Sequence, residues 1–202
     1  PQEDPLRSEL FSTEQLNQHA RWLARKHATG KRRRPDRLLP RLSANERVLT
    51  QAYRTLAKAA EENQRITPAG EWLLDNFHFL REQIHMSRRH LPKSYSRGLP
   101  RLLGGPMAGY PRVYDIALEL ISHLDGRLDA KVMTGFVAAY QSVSPLRLGE
   151  LWAFPAMLRL ALIENLRRVV ARMISDKQDR SIAARWADRM TETAEEESQD
   201  LI

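Results

Sequence analysis

Two pairs of residues in the stretch TPAGEWLLDNFHFLREQIH have types and spacings that metal chemistry uses. Asp75 precedes His78 by three positions, and Glu82 precedes His85 by three. On a helix all four stack along one side at steps of three, four and three. Carboxylate and histidine at this spacing supply the metal ligands of di-iron helical bundles, where the two pairs come from different helices and further glutamates face them. Here both pairs share one helix about two turns apart, so they lie roughly 10 Å from each other and cannot close one dinuclear site. A second helix would have to contribute Glu119 and His123, or Glu150, or Glu164. Without a compelling partner set, a solvated or interhelical hydrogen-bonding stripe is the favoured reading, and neither metal nor cofactor is expected.

Other candidate chemistry is thinner. Lys31, Arg32, Arg33 and Arg34 concentrate charge in the loop-like run KHATGKRRRPDR, a density suited to phosphates or another acidic surface. No zinc-finger ligand set, aromatic-rich sheet or helix-turn-helix pattern accompanies it, so an acidic lipid surface or a protein partner is favoured over nucleic acid. Trp22, Trp72, Trp152 and Trp186 could stack on sugars, but at helical positions beside leucines they are expected to pack in the core. His123 near Asp125, and Ser142 and Ser144 near no histidine, assemble no nucleophilic triad. The run GLPRLLGGPMAG lacks the lysine and the preceding strand of a phosphate-binding loop. The chain has no cysteine, which removes disulfides and thiolate chemistry and fits a reducing compartment.

The elements that must position these groups read as helices throughout. At 202 residues, 42% apolar and 28% charged, the chain can bury one sizeable helical core. Mean hydropathy is −0.52, and no apolar run approaches membrane-spanning length. No signal-peptide hydrophobic region appears, so a soluble, cytoplasmic chain is expected. The net charge of +7 is unevenly spread, with bases clustered between Arg21 and Arg41 and acids in the last stretch.

In chain order, residues 1–10 read as a loose arm, and Ser12 or Thr13 caps a helix running to about His27 with Leu16, Ala20, Leu23 and His27 inward. Ser43 with Glu46 forms a reciprocal capping pattern that starts a second helix reaching about Asn63. Val48, Leu49, Ala52, Leu56 and Ala59 supply its inner stripe. Thr67 and Pro68 open a third helix with Leu73, Phe77, Leu80 and Ile84 inward. Prolines and glycines between Leu91 and Pro111 break regular structure, yet Leu91, Tyr95, Leu99, Leu102, Leu103, Met107 and Tyr110 require that loop to pack over its neighbours. Helices over Val113–Leu124 and from Asp129 to about Ser142 follow. Ser144 and Pro145 start the last core helix, carrying Leu148, Leu151, Trp152, Leu158, Leu162, Leu166 and Val169 and bent at Pro155. A further helix through Ile182, Trp186 and Met190 loses support in the acidic tail. The expected fold is all-α, an irregular bundle of about six to seven helices. It divides into an N-terminal helix and basic loop (1–40), a helical core (41–176) and a C-terminal helix with its tail (177–202).

Several long strings, in order, resemble the amino-terminal helical region of cyclic β-1,2-glucan synthases: ITPAGEWLLDNFHFLREQI, LPRLLGGPMAGYPRVYDIA and FVAAYQSVSPLRLGELWAFPAMLRLALIENLRRV. The resemblance spans roughly Arg41 to Ile174. Such synthases are large bacterial inner-membrane enzymes that join a cytosolic helical region to membrane spans, a UDP-glucose-dependent glycosyltransferase and phosphorylase-like domains. The resemblance implies a non-catalytic cytosolic accessory domain whose partners are the remaining domains of the polypeptide, with an acidic membrane surface or a glucan as further partners. Because the catalytic domains lie elsewhere, no catalytic residue carries over. The motif positions that do are Trp72, Asp75, Asn76, Phe77, His78, Tyr110, Pro111, Arg112, Tyr114, Tyr140, Gln141, Glu150, Leu151, Trp152, Glu164, Asn165, Arg167 and Arg168. Asn165 and Arg167, beside Glu164, are expected to tie down the GYPRVY loop through charged hydrogen bonds, and Asp75 and His78 are expected to meet that loop or the ENLRR helix. Two alternatives remain: a β-glucan-binding module, and a basic module for acidic lipid or nucleic acid.

Overall fold

The computed structural model describes residues 3–6, 9–30, 35–91, 96, 98–124 and 129–199, with side chains beyond Asp176 described only at Trp186. Six helices carry the described residues: α1 (Thr13–Lys26), α2 (Leu38–Glu61), α3 (Pro68–His90), α4 (Arg112–Ser122), α5 (Ala130–Gln141) and α6 (Leu148–Gln199). The fold is all-α. Tyr95 and Lys31, Arg32, Arg33 and Arg34 lie outside the described residues.

Local chemistry starts most of these helices where the sequence places the starts. Ser12 Oγ accepts from the Gln15 N–H while Gln15 Oε1 accepts from the Ser12 N–H, a complete capping box. Thr67 Oγ1 accepts from Gly70 N–H, with Pro68 as the first helical residue. Asp129 Oδ1 accepts from Lys131 N–H at 2.6 Å. Asn63 closes α2 in the left-handed region (φ 54°), returning the Gln64 N–H to the Ala59 carbonyl.

Two starts differ from expectation. Ser43 does not cap α2, which begins five residues earlier at Leu38 because the Asp36 carboxylate accepts from the N–H groups of Leu38 and Leu39. Pro40 fits that first turn, where its missing N–H costs nothing, and Glu46 instead pairs with Arg88 of α3. The last core helix starts at Leu148 rather than at Ser144, with Glu150 Oε2 accepting from the Arg147 N–H in front of it. It then continues through Pro155 without a break to Gln199, so the two helices expected there are one of 52 residues.

One core joins all six helices. Its largest wholly buried side chains include Tyr140, Phe136, Leu16, Leu49, Leu73 and Ile116. The central member is α6, which packs against α4, α2 and α3, while α1 lies mainly against α5. The proline-rich connection before α4 does pack down, burying Leu91, Leu99 and Leu102, although Leu103 stays half exposed. Within it Arg101–Leu102 pairs antiparallel with Thr29–Gly30, a short ribbon that no strand period announces. Gly109 has φ 87°, which lets its N–H turn back to the Leu102 carbonyl at 2.8 Å.

Several expected core residues are outside. All four tryptophans are 45–73% exposed, and Val48, Leu148, Leu162 and Val169 face solvent. On α3 the buried positions are Gly70, Leu73, Phe77, Leu80, Ile84 and Ser87, so Trp72, one residue and about 100° from Leu73, points off that stripe. This difference is measurable by chemical denaturation: Leu73→Ala should cost roughly 2–5 kcal/mol, whereas Trp72→Ala beside it should cost less than about 1 kcal/mol. Equal losses would contradict the assigned faces.

Candidate functional site

Three polar constellations are built where helices meet, and each contains residues singled out by their types. The first joins α4 to α6. Arg112, at the first position of α4, places Nε 2.7 Å and a terminal nitrogen 2.8 Å from the two Glu150 carboxylate oxygens. The same guanidinium donates to Ser144 Oγ at 2.9 Å and to the Pro145 carbonyl at 2.7 Å. Both charged groups are buried, and hydrogen bonding to Glu150 raises the Arg112 pKa in spite of that burial. Beside it stands a relay from α4 to α5 through His27, the residue that follows α1. Asp115 Oδ2 lies 3.0 Å from His27 Nε2, and His27 Nδ1 lies 2.8 Å from the Tyr140 hydroxyl. An ionised carboxylate only accepts, so His27 donates from Nε2, and a neutral ring then takes the Tyr140 O–H at Nδ1. Burial, above all, pushes the Tyr140 phenol up.

The second constellation surrounds Glu164 on α6, a carboxylate with 1% of its surface exposed. It accepts from Arg41 Nε at 2.9 Å and Asn45 Nδ2 at 2.8 Å on α2, and from Arg167 at 2.6 Å and Arg168 Nε at 2.9 Å on its own helix. Burial by itself would raise the Glu164 pKa. The hydrogen bonds from Arg41 and Arg168, with the charge and hydrogen bond of Arg167, outweigh it and hold the carboxyl down at about 2. Glu3 adds a second carboxylate to Arg41 and Arg167, Asp4 pairs with Arg172, and Asn165 Oδ1 accepts the Leu6 N–H at 2.9 Å. The amino-terminal arm, expected to be loose, is therefore fastened along α6 at residues 3–6. The expected partner of the ENLRR turn also changes: Glu164, Asn165, Arg167 and Arg168 hold α2 and the arm. The GYPRVY segment is held instead by Arg112 at Glu150, with Tyr110 and Tyr114 adjacent at 5.7 Å between ring centroids.

The third constellation contains a residue that the sequence reading passed over. His19 Nε2 on α1 lies 2.9 Å from Glu119 Oε2 on α4, and His123 Nε2, just past the end of α4, lies 3.8 Å from the same oxygen. The pair Glu119 and His123 is visible at helical spacing. His19 lies one hundred residues upstream, and only the packing of α1 on α4 brings it there. Burial would raise the Glu119 carboxyl, but above all the hydrogen bond from His19 leaves it lowered. Glu119 also borders a cavity of about 510 Å³ walled by Trp22, Lys26, His27, Met107 and Asp115.

The stripe on α3 joins none of these. Asp75, His78, Glu82 and His85 are all exposed, which overturns the expectation that Asp75 and His78 meet the GYPRVY loop or the ENLRR turn. The buried side of α3 is claimed by its apolar residues, so the polar stripe turns to water. Asn76, on the same helix, donates to the Trp72 carbonyl at 2.8 Å. Trp152 is 73% exposed on the outer side of α6.

No known family profile matches the chain. Over 189 residues it is 35% identical to the cyclic beta-(1,2)-glucan synthase NdvB of Rhizobium meliloti (strain 1021), a match that takes in 93% of this chain. The chain is related to one segment of a cyclic β-(1,2)-glucan synthase. It spans only 7% of that relative's length, and the match runs beyond the Arg41–Ile174 stretch whose strings carry the resemblance. Among the described residues no helix is long and apolar enough to cross a membrane.

The Glu164 cluster has a defined pH signature. A carboxyl whose folded pKa is depressed stabilises the fold fully above its ordinary value of 4.5, and that contribution is lost as pH falls toward 2. Glu164→Gln leaves the buried arginines facing an uncharged amide and should cost roughly 3–5 kcal/mol near neutrality. In urea titrations across pH, the gap between variant and parent should close below pH 4.5. A gap that is absent at pH 7, or flat with pH, would refute the assignment.

Proposed function

We propose that this chain is a non-catalytic accessory domain serving cyclic β-(1,2)-glucan synthesis, packed at the cytosolic side against the remainder of a larger synthase polypeptide. The observation that carries this reading is that nearly all of the chain matches a small fraction of a synthase. Two features of the fold support it. The buried carboxylates Glu150 and Glu164, which would be the natural acid–base candidates, are saturated by arginine; with its carboxyl held near 2, Glu164 is a poor proton donor or acceptor at neutral pH. Leu148, Trp152, Leu162 and Val169 recur at helical spacing along the solvent side of α6, an apolar stripe suited to cover by another domain. In this reading Lys31, Arg32, Arg33 and Arg34 face acidic lipid or that neighbouring domain.

Two measurements test it. The isolated chain should release no UDP from UDP-glucose, and turnover would overturn the non-catalytic role. In the full-length synthase, Trp152→Glu with Leu162→Glu should lower glucan output several-fold while leaving the helicity of the isolated domain intact, since both side chains are exposed. Unchanged output would remove the docking face.

A second reading, glucan binding, has its own observation. Trp72 and Phe79 are 49% and 51% exposed, and their seven-residue separation on α3 places them roughly 10 Å apart along the axis, with Asp75 and Asn76 between them. Aromatic faces flanking polar groups match the alternating surfaces of a glucan. Calorimetry with linear β-1,2-glucan at millimolar concentration should then give heat that Trp72→Ala with Phe79→Ala removes. Absence of heat eliminates this reading.

A further inference from the structure

We propose that His19, Glu119 and His123 form a site for one divalent ion of the zinc class, which locks the amino-terminal arm and α1 onto α4. Two imidazole nitrogens and one carboxylate oxygen are a donor set that zinc favours, and three protein ligands leave a fourth position for water. One donor atom from each residue lies within 4.8 Å of the other two. Ligands around a tetrahedral zinc stand roughly 3.3 Å apart, between the 2.9 Å from His19 to Glu119 and the 3.8 Å from His123 to Glu119.

The orientation of His123 is what distinguishes this cluster from an ordinary ion pair. Its Nδ1 lies 2.8 Å from the Glu9 carbonyl oxygen. A carbonyl only accepts, so Nδ1 carries a proton, and in a neutral ring the Nε2 lone pair turns toward Glu119. Two acceptors then face each other across 3.8 Å, and a cation between them satisfies both. A ring nitrogen fixed by a backbone carbonyl while the other nitrogen is presented inward is the outer arrangement typical of metal-binding histidines. Aromatic rings hold the site in place. Phe11 stacks on His123 at 3.9 Å between centroids and meets His19 edge-on at 5.5 Å, while Trp22 covers His19 at 5.3 Å. Of the three ligands, Glu119 also lines the neighbouring cavity.

The test uses the whole 202-residue chain, freed of metal by chelation and titrated with Zn²⁺ in a calorimeter. One ion per chain should bind, and Co²⁺ in its place should give the visible absorption of a tetrahedral site. At a hundredfold excess over Kd, Zn²⁺ should raise Tm by roughly 5 °C. Glu119→Gln and His123→Gln, close in shape to the parent side chains, should each weaken binding about 100-fold with unchanged circular dichroism, and Phe11→Ala about tenfold. His85→Ala with His90→Ala, both solvent-facing on α3, should leave binding unchanged. Failure to bind one equivalent at micromolar metal would overturn the site. So would undiminished affinity in Glu119→Gln and His123→Gln, or loss of binding in the α3 variant.

Discussion

Two carboxylates buried on one helix constrain how everything else packs. Glu150 and Glu164 stand fourteen residues apart on α6, nearly four turns and roughly 21 Å along the axis, so they project from similar sides. A buried carboxylate without a partner costs several kcal/mol. Whatever covers that side must therefore bring arginines to both positions. Arg112 answers Glu150 from the first turn of α4, and Arg41 with Asn45 answers Glu164 from α2. Sliding either helix by one turn would separate these groups by about 5 Å and strand both charges. The apolar contacts among α2, α4 and α6 tolerate more variation than these ionic ones, which is why the register of the bundle is tied to the carboxylates.

The same arrangement places polar groups inside and large apolar ones outside. The Asp115, His27 and Tyr140 relay lies among the core helices, as does the Glu164 cluster, while Trp72, Phe79, Trp152 and Leu162 meet solvent. Buried polar groups with partners on three elements define one packing rather than many. The exposed parts of the apolar stripe on α6 add little to the isolated fold and gain from burial only when a further surface covers them. This division suits a domain that holds its own shape and presents a face to a larger assembly.

The amino-terminal arm takes its place through polar contacts more than apolar ones. Glu3, Asp4 and Leu6 are held along α6 by arginines and Asn165, and Glu9 and Phe11 reach His123 at the end of α4. The arm therefore spans two of the three polar constellations. Changes of protonation or ligation at either one bear on the same short segment.

By itself the sequence determined the helices and most of their inner faces. Ser12 with Gln15, Thr67 with Pro68 and Asp129 act within one turn of chain, and the stripe from Leu73 to Ile84 repeats at a period that only a helix satisfies. The family strings likewise were legible without coordinates. Tertiary structure decided the rest, because the deciding partners are distant in sequence. Ser43 and Glu46 carry a cap signature in a helix interior, since Asp36 and a tolerant Pro40 extend α2 upstream and Arg88 takes Glu46. On α6 both sides are apolar enough to be buried, so periodicity could not say that Leu158 lies inside while Leu148, Trp152 and Leu162 lie outside; the position of α4 and α2 chose. Glu164 finds Arg41 across 123 residues, and His19 finds Glu119 across 100. A local pattern can offer a charge or an imidazole to a face, but only the packed helices determine what stands opposite it.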